Sequence, residues 1–155
     1  MIPLREKAMD TPIRVLVIDD QEIFRLGLRV GLRGYDDIRI DGEAEDGPTG
    51  LALVAERKPD VAVVDIHLPG IDGIECAERI QQISPQTRIM LISGFLDDDA
   101  IRRGLKLGVD GIITKTDSPL QFACFIRRIH KGVFSCSTSI LMEMLPQPDL
   151  AMLRQ

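Results

Sequence analysis

Three stretches of strand length, IRVLVI at 13–18, VAVVD at 61–65 and TRIMLI at 87–92, carry apolar residues on both faces rather than on alternate positions. A strand that is apolar on both faces has to be covered on both, and this happens in parallel sheets wrapped by crossover helices. The segments between them supply the helices. From Gln21 to Leu32 the residues Ile23, Phe24, Leu26, Leu28, Val30 and Leu32 recur at loosely helical spacing, and Gly34 stops the run. The alternation continues with a weaker strand at 37–44 and a helix at 48–57. Helices at 72–83 and 97–107 follow the later apolar runs, then a short strand at 110–114 and a helix at 119–130. Ser118, Pro119 and Gln121 mark the start of that last helix as N-cap, first helical residue and capping-box partner. Five strands alternating with five helices, joined by right-handed crossovers, predict an α/β, doubly wound parallel sheet.

Beyond Lys131 the pattern loosens. Residues 137–145, STSILMEML, fit a short amphipathic helix before PQP at 146–148 interrupts it. The chain therefore divides into an N-terminal extension at 1–12, one domain at 13–131 and a C-terminal linker or tail at 132–155. A domain of that size buries a full core without disulfides or metals. Cys76, Cys124 and Cys136 form no C-x-x-C pair, so they read as packed, inert thiols. A formal charge of −5 argues against nucleic-acid binding by this chain alone, and the cluster of Arg127, Arg128, His130 and Lys131 reads as a solvated helix face. The apolar runs are too short to cross a bilayer, and MIPLREKAMDTP lacks the apolar centre of a secretory signal. The reading is cytoplasmic, with no membrane partner.

In open parallel sheets, functional groups gather beyond the carboxyl ends of the strands. Asp19 and Asp20 follow the first strand, Asp65 ends the third, Ser93 follows the fourth and Lys115 follows the fifth. Three crowded carboxylates repel one another, raising the proton affinity of at least one unless a cation offsets them. Mg2+ suits such a set, because it takes oxygen ligands, retains several waters and commonly joins one or two carboxylates to the oxygens of a phosphoryl group. An aspartate in such a site can attack phosphorus to give an aspartyl phosphate. The metal and Lys115 then neutralise the transferred charge, and Ser93 donates to a phosphoryl oxygen.

These residues, DD at 19–20, DIHLPGIDG from Asp65, SG at 93–94 and the lysine at 115, resemble the receiver domain of two-component response regulators over residues 13–131. The resemblance implies a flavodoxin-like (βα)5 fold with strand order 2-1-3-4-5. It implies Asp65 as the phosphoacceptor, Asp20 and Asp65 as direct carboxylate ligands of Mg2+, Asp19 as support through water, and the main-chain carbonyl of His67 as the remaining protein ligand. Ser93 becomes the switch hydroxyl and Lys115 the partner of the phosphate. The implied donor is a sensor histidine kinase or phosphotransfer protein, with small acyl phosphates as substitutes. Such a domain is a signalling switch that catalyses only its own phosphotransfer and dephosphorylation, not an enzyme acting on other substrates. GLRVGL in the first helix, ISGF after the fourth strand and KTDSP from Lys115 are most similar to the NarL/FixJ (LuxR-type) transcriptional regulators, which usually carry a C-terminal helix-turn-helix. The roughly two dozen residues after the fifth helix are too few for that unit, so DNA contact is expected only through an output domain outside this chain. A homodimer would use either the fourth helix, fifth strand and fifth helix or the first and fifth helices, and the sequence does not choose.

One position departs from the family pattern. Many receivers have Tyr or Phe three residues before the lysine, where this chain has Ile112, so the aromatic part of the signal relay has no ring at that position. His67 and Phe95 flank the expected site and are placed to shield it from water. Taken singly, each site residue has an ordinary reading: Asp19 or Asp20 as a helix cap, Asp65 as a turn residue, Ser93 bonded to backbone and Lys115 solvated. Their joint order at successive strand ends outweighs those readings. A phosphohydrolase with an aspartate nucleophile would want D-x-D and a cap insertion. A flavodoxin or dinucleotide-binding module would want a Gly- or Ser-rich phosphate loop where this chain has acids. The remaining alternative is a receiver-like module that binds its partners without phosphorylation.

Overall fold

The computed structural model describes residues 11–145, so residues 1–10 of the N-terminal extension and the PQP stretch lie outside the described residues. Its elements run β1 (Ile13–Ile18), α1 (Glu22–Gly31), β2 (Ile38–Ala44), α2 (Gly47–Arg57), β3 (Val61–Asp65), α3 (Gly73–Ile83), β4 (Arg88–Ser93), α4 (Asp98–Leu107), β5 (Gly111–Thr114), α5 (Pro119–His130), β6 (Ser135–Cys136) and α6 (Thr138–Met144). All neighbouring strands pair in parallel, in the order β2-β1-β3-β4-β5-β6. The expectation of five strands is thereby corrected to six. β6 is two residues long and sets Ser135 against Gly111 and Cys136 against Ile112, too short a pairing to leave a periodic signal in the sequence.

Alternate positions of each central strand supply two separate cores. Leu16, Ile18, Ala62, Val64, Ile89, Leu91 and Ile112 point to the face covered by α2, α3 and α4, where Val54, Ile74, Ala77, Ile80 and Ile101 meet them and Ile140 of α6 joins. Val15, Val17, Val61, Val63, Met90, Ile92 and Ile113 point the other way, onto Leu28 of α1 and Phe122, Ala123, Ile126 and Ile129 of α5. The apolar runs have no polar alternation because neither face meets water. Each buried Val, Leu, Ile, Met or Phe among them contributes about 1.5–3 kcal/mol relative to leaving it exposed.

Local chemistry sets where the helices begin. Asp46, Asp72, Asp97 and Ser118 occupy N-caps and accept from the backbone N–H of Thr49, Glu75, Ala100 and Gln121. Each cap is worth about 1 kcal/mol. The capping box read from Ser118 and Gln121 is present, and Gly108 ends α4 at φ 82° as its glycine suggests. The cysteines divide. Cys76 is buried, and that burial pushes its thiol up to about 12. Cys136 is half-buried, whereas Cys124 is exposed on α5, contrary to its reading as a packed thiol. Among the described residues, no helix is long and apolar enough to cross a membrane.

The packing of α3 against the end of β3 has no slack. The Gly73 N–H donates to the carbonyl of Ile66 at 2.9 Å, and a Cβ on Gly73 would lie 2.0 Å from the carbonyl oxygen of Asp65. Because the obstacle is backbone, a side chain there has to push the helix away from the strand end. Gly73→Ala is expected to cost at least about 2 kcal/mol, seen as a lower urea midpoint. An unchanged midpoint would mean that the helix start yields freely.

Candidate functional site

Strand register assembles the site. Ile18 is opposite Val64, so Asp19, one residue on, is level with Asp65. Asp65 is opposite Ile92, and Ser93 is opposite Thr114, which places Ser93 and Lys115 one step further at the same edge. Asp19, Asp20 and Asp65 each present a carboxylate oxygen within 4.8 Å of the others. Asp19 and Asp65 are buried and Asp20 is exposed. A cleft lined by Asp20, Gln21, Asp65, His67, Gly94, Phe95 and Lys115 opens above them.

Lys115 links the acids. Its Nζ lies 2.7 Å from Asp19 Oδ2 and 3.0 Å from Asp65 Oδ2, and it donates to Gln21 Oε1 at 2.7 Å. It also sits 4.9 Å above the Phe24 ring centre. The other oxygens have backbone donors: Asp19 Oδ1 accepts from the Gln21 N–H at 2.7 Å, and Asp65 Oδ1 accepts from the His67 N–H at 3.0 Å. The Lys115 approach to Asp19 Oδ2 is close enough for an ion pair but lacks hydrogen-bond alignment, leaving this buried oxygen without a directed donor. Burial is the main influence on Asp19 and pushes its carboxyl above its ordinary value. Lys115 and the Gln21 N–H oppose the rise, and the charge on Asp65 adds to it. A buried oxygen lacking an aligned donor, beside two further carboxylates, fits a hard cation that prefers oxygen ligands.

On the other side of the cleft, the His67 and Phe95 rings stack with centres 4.3 Å apart and planes 22° from parallel. His67 Nε2 is 2.9 Å from Asp97 Oδ2, and Asp97 is the N-cap of α4. This contact with His67, followed by the backbone N–H of Ala100, holds the Asp97 carboxyl below its ordinary value. The Ser93 hydroxyl donates to the carbonyl of Phe95 and accepts from its N–H at 3.3 Å. Ile112 is fully buried in the core beside Gly104. Sequence reading did not single out Gln21, Phe24 or Asp97 as parts of the site. Gln21 had a signal in its place directly after the paired aspartates, whereas Asp97 reaches His67 from 30 residues away and had none.

A doubly wound parallel sheet that gathers three acids, a hydroxyl and a lysine at its strand ends is the layout of a receiver domain. The chain belongs to the response regulator receiver domain family, whose sequence profile matches residues 15–123. It is 38% identical over 120 residues to the transcriptional regulatory protein LiaR of Bacillus subtilis, covering 77% of this chain and 57% of that protein. It is 32% identical over 132 residues to the response regulator protein VraR of Staphylococcus aureus, covering 85% of this chain and 63% of that protein. The chain thus spans less than two thirds of the length of these relatives, 57% and 63%. A two-component response regulator of the LuxR family from Aurantimonas sp. superposes with a TM-score of 0.80 at 27% identity, covering 93% of this chain and 99% of that one. The receiver domain of the putative response regulator NarL from Mycobacterium tuberculosis superposes at 0.75 with 30% identity, covering 79% of this chain and 98% of that one. The domain is a receiver of two-component signalling related to the LuxR/NarL-type regulators.

The raised Asp19 carboxyl carries a stability consequence. A folded-state value above the unfolded one means that ionised Asp19 is penalised in the fold. The penalty is fully present above the folded value and gone below the unfolded one. Without divalent cation at neutral pH, Asp19→Asn is expected to be more stable than wild type by about 1 kcal/mol in urea unfolding. The difference should close as pH falls through that window. A variant no more stable than wild type would mean that Lys115 already compensates the charge in full.

Proposed function

We propose that Asp65 is the phosphoacceptor of this receiver, taking a phosphoryl group from a phosphohistidine of a sensor histidine kinase or phosphotransfer protein, or from a small acyl phosphate. The observation that carries the reading is the ammonium of Lys115 held 3.0 Å from Asp65 Oδ2 at the floor of an acidic cleft. Asp20 and Asp65, with the main-chain carbonyl of His67, would hold Mg2+, and Asp19 would support it through water. When bound, the ion neutralises charge on the acids and on the transferred group. An Asp65 oxygen attacks phosphorus in line, the bond from phosphorus to the donor's nitrogen or oxygen breaks, and the donor departs with the electron pair. The His67 N–H on Asp65 Oδ1 orients the carboxylate and leaves Oδ2 as the attacking atom. Lys115 keeps its charge beside the new phosphate, and Ser93 turns its hydroxyl from Phe95 to a phosphoryl oxygen. His67 and Phe95, stacked at the rim, limit the approach of hydrolytic water.

The switched surface lies on α4 and α5, on either side of the β6 and α6 segment that covers the buried β5, and its partners are proteins; a second copy of the receiver would dock either there or on α1 and α5. LiaR is a transcriptional regulatory protein. By extension, this receiver governs a DNA-binding output in the cytoplasm when joined to one, and does not itself bind nucleic acid.

The test is intact mass after incubation of wild type and Asp65→Asn with acetyl phosphate, with and without Mg2+. One phosphoryl addition that needs Mg2+ and vanishes in Asp65→Asn is the expected result. No addition to wild type, from acetyl phosphate or from a competent phosphohistidine donor, would favour a module that binds partners without phosphorylation.

A further inference from the structure

Ser137 occupies the N-cap of α6, where a serine hydroxyl ordinarily accepts from the N–H groups of its own first turn. It makes no such bond. In a residue only 1% exposed, the hydroxyl instead accepts from the backbone N–H of Thr114 at 2.8 Å and donates to Asp117 Oδ2. Those two residues bracket Lys115. The turn between them also closes on itself: the Asp117 N–H donates to the Thr114 carbonyl at 3.2 Å, and the Thr114 and Thr116 hydroxyls are 3.0 Å apart. Its inner side is held by β4, where the Lys115 N–H donates to the Ser93 carbonyl at 2.9 Å. Its outer side, toward the sheet edge, depends on Ser137, 23 residues further along than Thr114 and beyond the 15–123 range of the family match.

A buried hydroxyl that forgoes its helix cap is costly unless both its donor and its acceptor functions are satisfied. Here both are, and both go to the turn that carries Lys115. The Ser137 N–H adds a bond to the Ile112 carbonyl at 3.1 Å, so the segment is fixed to β5 before the hydroxyl reaches the turn. We propose that Ser137 is a positioning residue for Lys115, clamping the 114–117 turn so that the ammonium stays over Asp65. The same hydroxyl joins the phosphorylation site to α6, so displacement of Lys115 toward a bound phosphoryl group loads the segment through which the chain leaves the sheet. The proposal rests on the reading of Lys115 as partner of the phosphoryl group.

The experiment uses the full chain and measures the rate constant of phosphorylation by acetyl phosphate at saturating Mg2+. Ser137→Ala is expected to be slower by about threefold to tenfold, one hydrogen bond expressed as a rate ratio. Ser137→Thr keeps the hydroxyl and should keep the wild-type rate. In a Lys115→Ala background, Ser137→Ala should add nothing, because the residue acts through the lysine. Equal slowing in both backgrounds, or no rescue by threonine, would reduce Ser137 to a packing role and overturn the proposal. An unchanged Ser137→Ala rate with a slow Lys115→Ala overturns it and leaves the Lys115 reading intact. Lys115→Ala at the wild-type rate, or a wild type that takes no phosphoryl group, overturns both. If Ser137→Ala does not fold, Asp117→Asn takes its place in the same comparison, since it alters the acceptor and leaves Ser137 in position.

Discussion

One ammonium makes the site possible. Asp19 and Asp65 are both buried and lie within 4.8 Å of each other through their carboxylate oxygens. Two unit charges at that separation repel by an amount on the order of 3 kcal/mol at an effective dielectric of about 20, before either is charged for leaving water. Lys115 reaches both from the end of β5 and is supported by the Gln21 amide and the Phe24 ring. The arrangement depends on the register of four strands, because a one-residue slip in β1 or β5 would turn Asp19 or Lys115 to the opposite face of the sheet. It also depends on Gly73, which lets α3 lie against the strand end that carries Asp65.

Much of this could be read from the chain. Burial on both faces leaves a strong signal, so the apolar runs at 13–18 and 61–65 are the strands observed, and Asp65 falls at a strand end as read. Residue type at the end of a strand is local information, which is why Asp19, Asp20, Ser93 and Lys115 stand out in the sequence alone. What the sequence hid is non-local or very short. β6 is too brief to show a period, and the contacts of His67 with Asp97 and of Thr114 with Ser137 join residues 30 and 23 positions apart. Cys124 is a different case. The buried stripe of α5 runs through Phe122, Ala123, Ile126 and Ile129, and helical spacing along that stripe turns position 124 outward. The exposed thiol was therefore available to the periodicity argument, and composition alone obscured it.

Under the proposed function, the contacts that lead from Asp65 toward the protein surface differ from the aromatic relay of many receivers. Ile112 is locked in the core beside Gly104 and has no ring to swing inward. A chain of hydrogen bonds and one ring stack runs from Asp65 instead. The Asp65 carboxylate holds the His67 N–H, the His67 ring stacks on Phe95 and meets Asp97, and Asp97 caps α4. Ser93 joins the same group through both backbone atoms of Phe95. On the proposed reading, a Ser93 hydroxyl that turned to a phosphoryl oxygen would give up its bond to the Phe95 carbonyl, at the start of the loop leading to α4. A hydrogen-bonded route of this kind can register a displacement smaller than a rotamer flip, because alignment as well as distance sets the strength of each bond.

The two-residue β6 has a colloidal consequence. Without it, β5 would end the sheet with unpaired backbone groups beside an apolar core, the kind of edge along which strands from separate molecules join. Ser135 and Cys136 occupy that edge at Gly111 and Ile112, and Ile140 of α6 seals the core behind them. The segment that looks like a tail in the sequence is thus what keeps the sheet from growing into a neighbour. A receiver trimmed back to the end of α5 would present an open strand edge and lose the buried Ile140 from the core behind it.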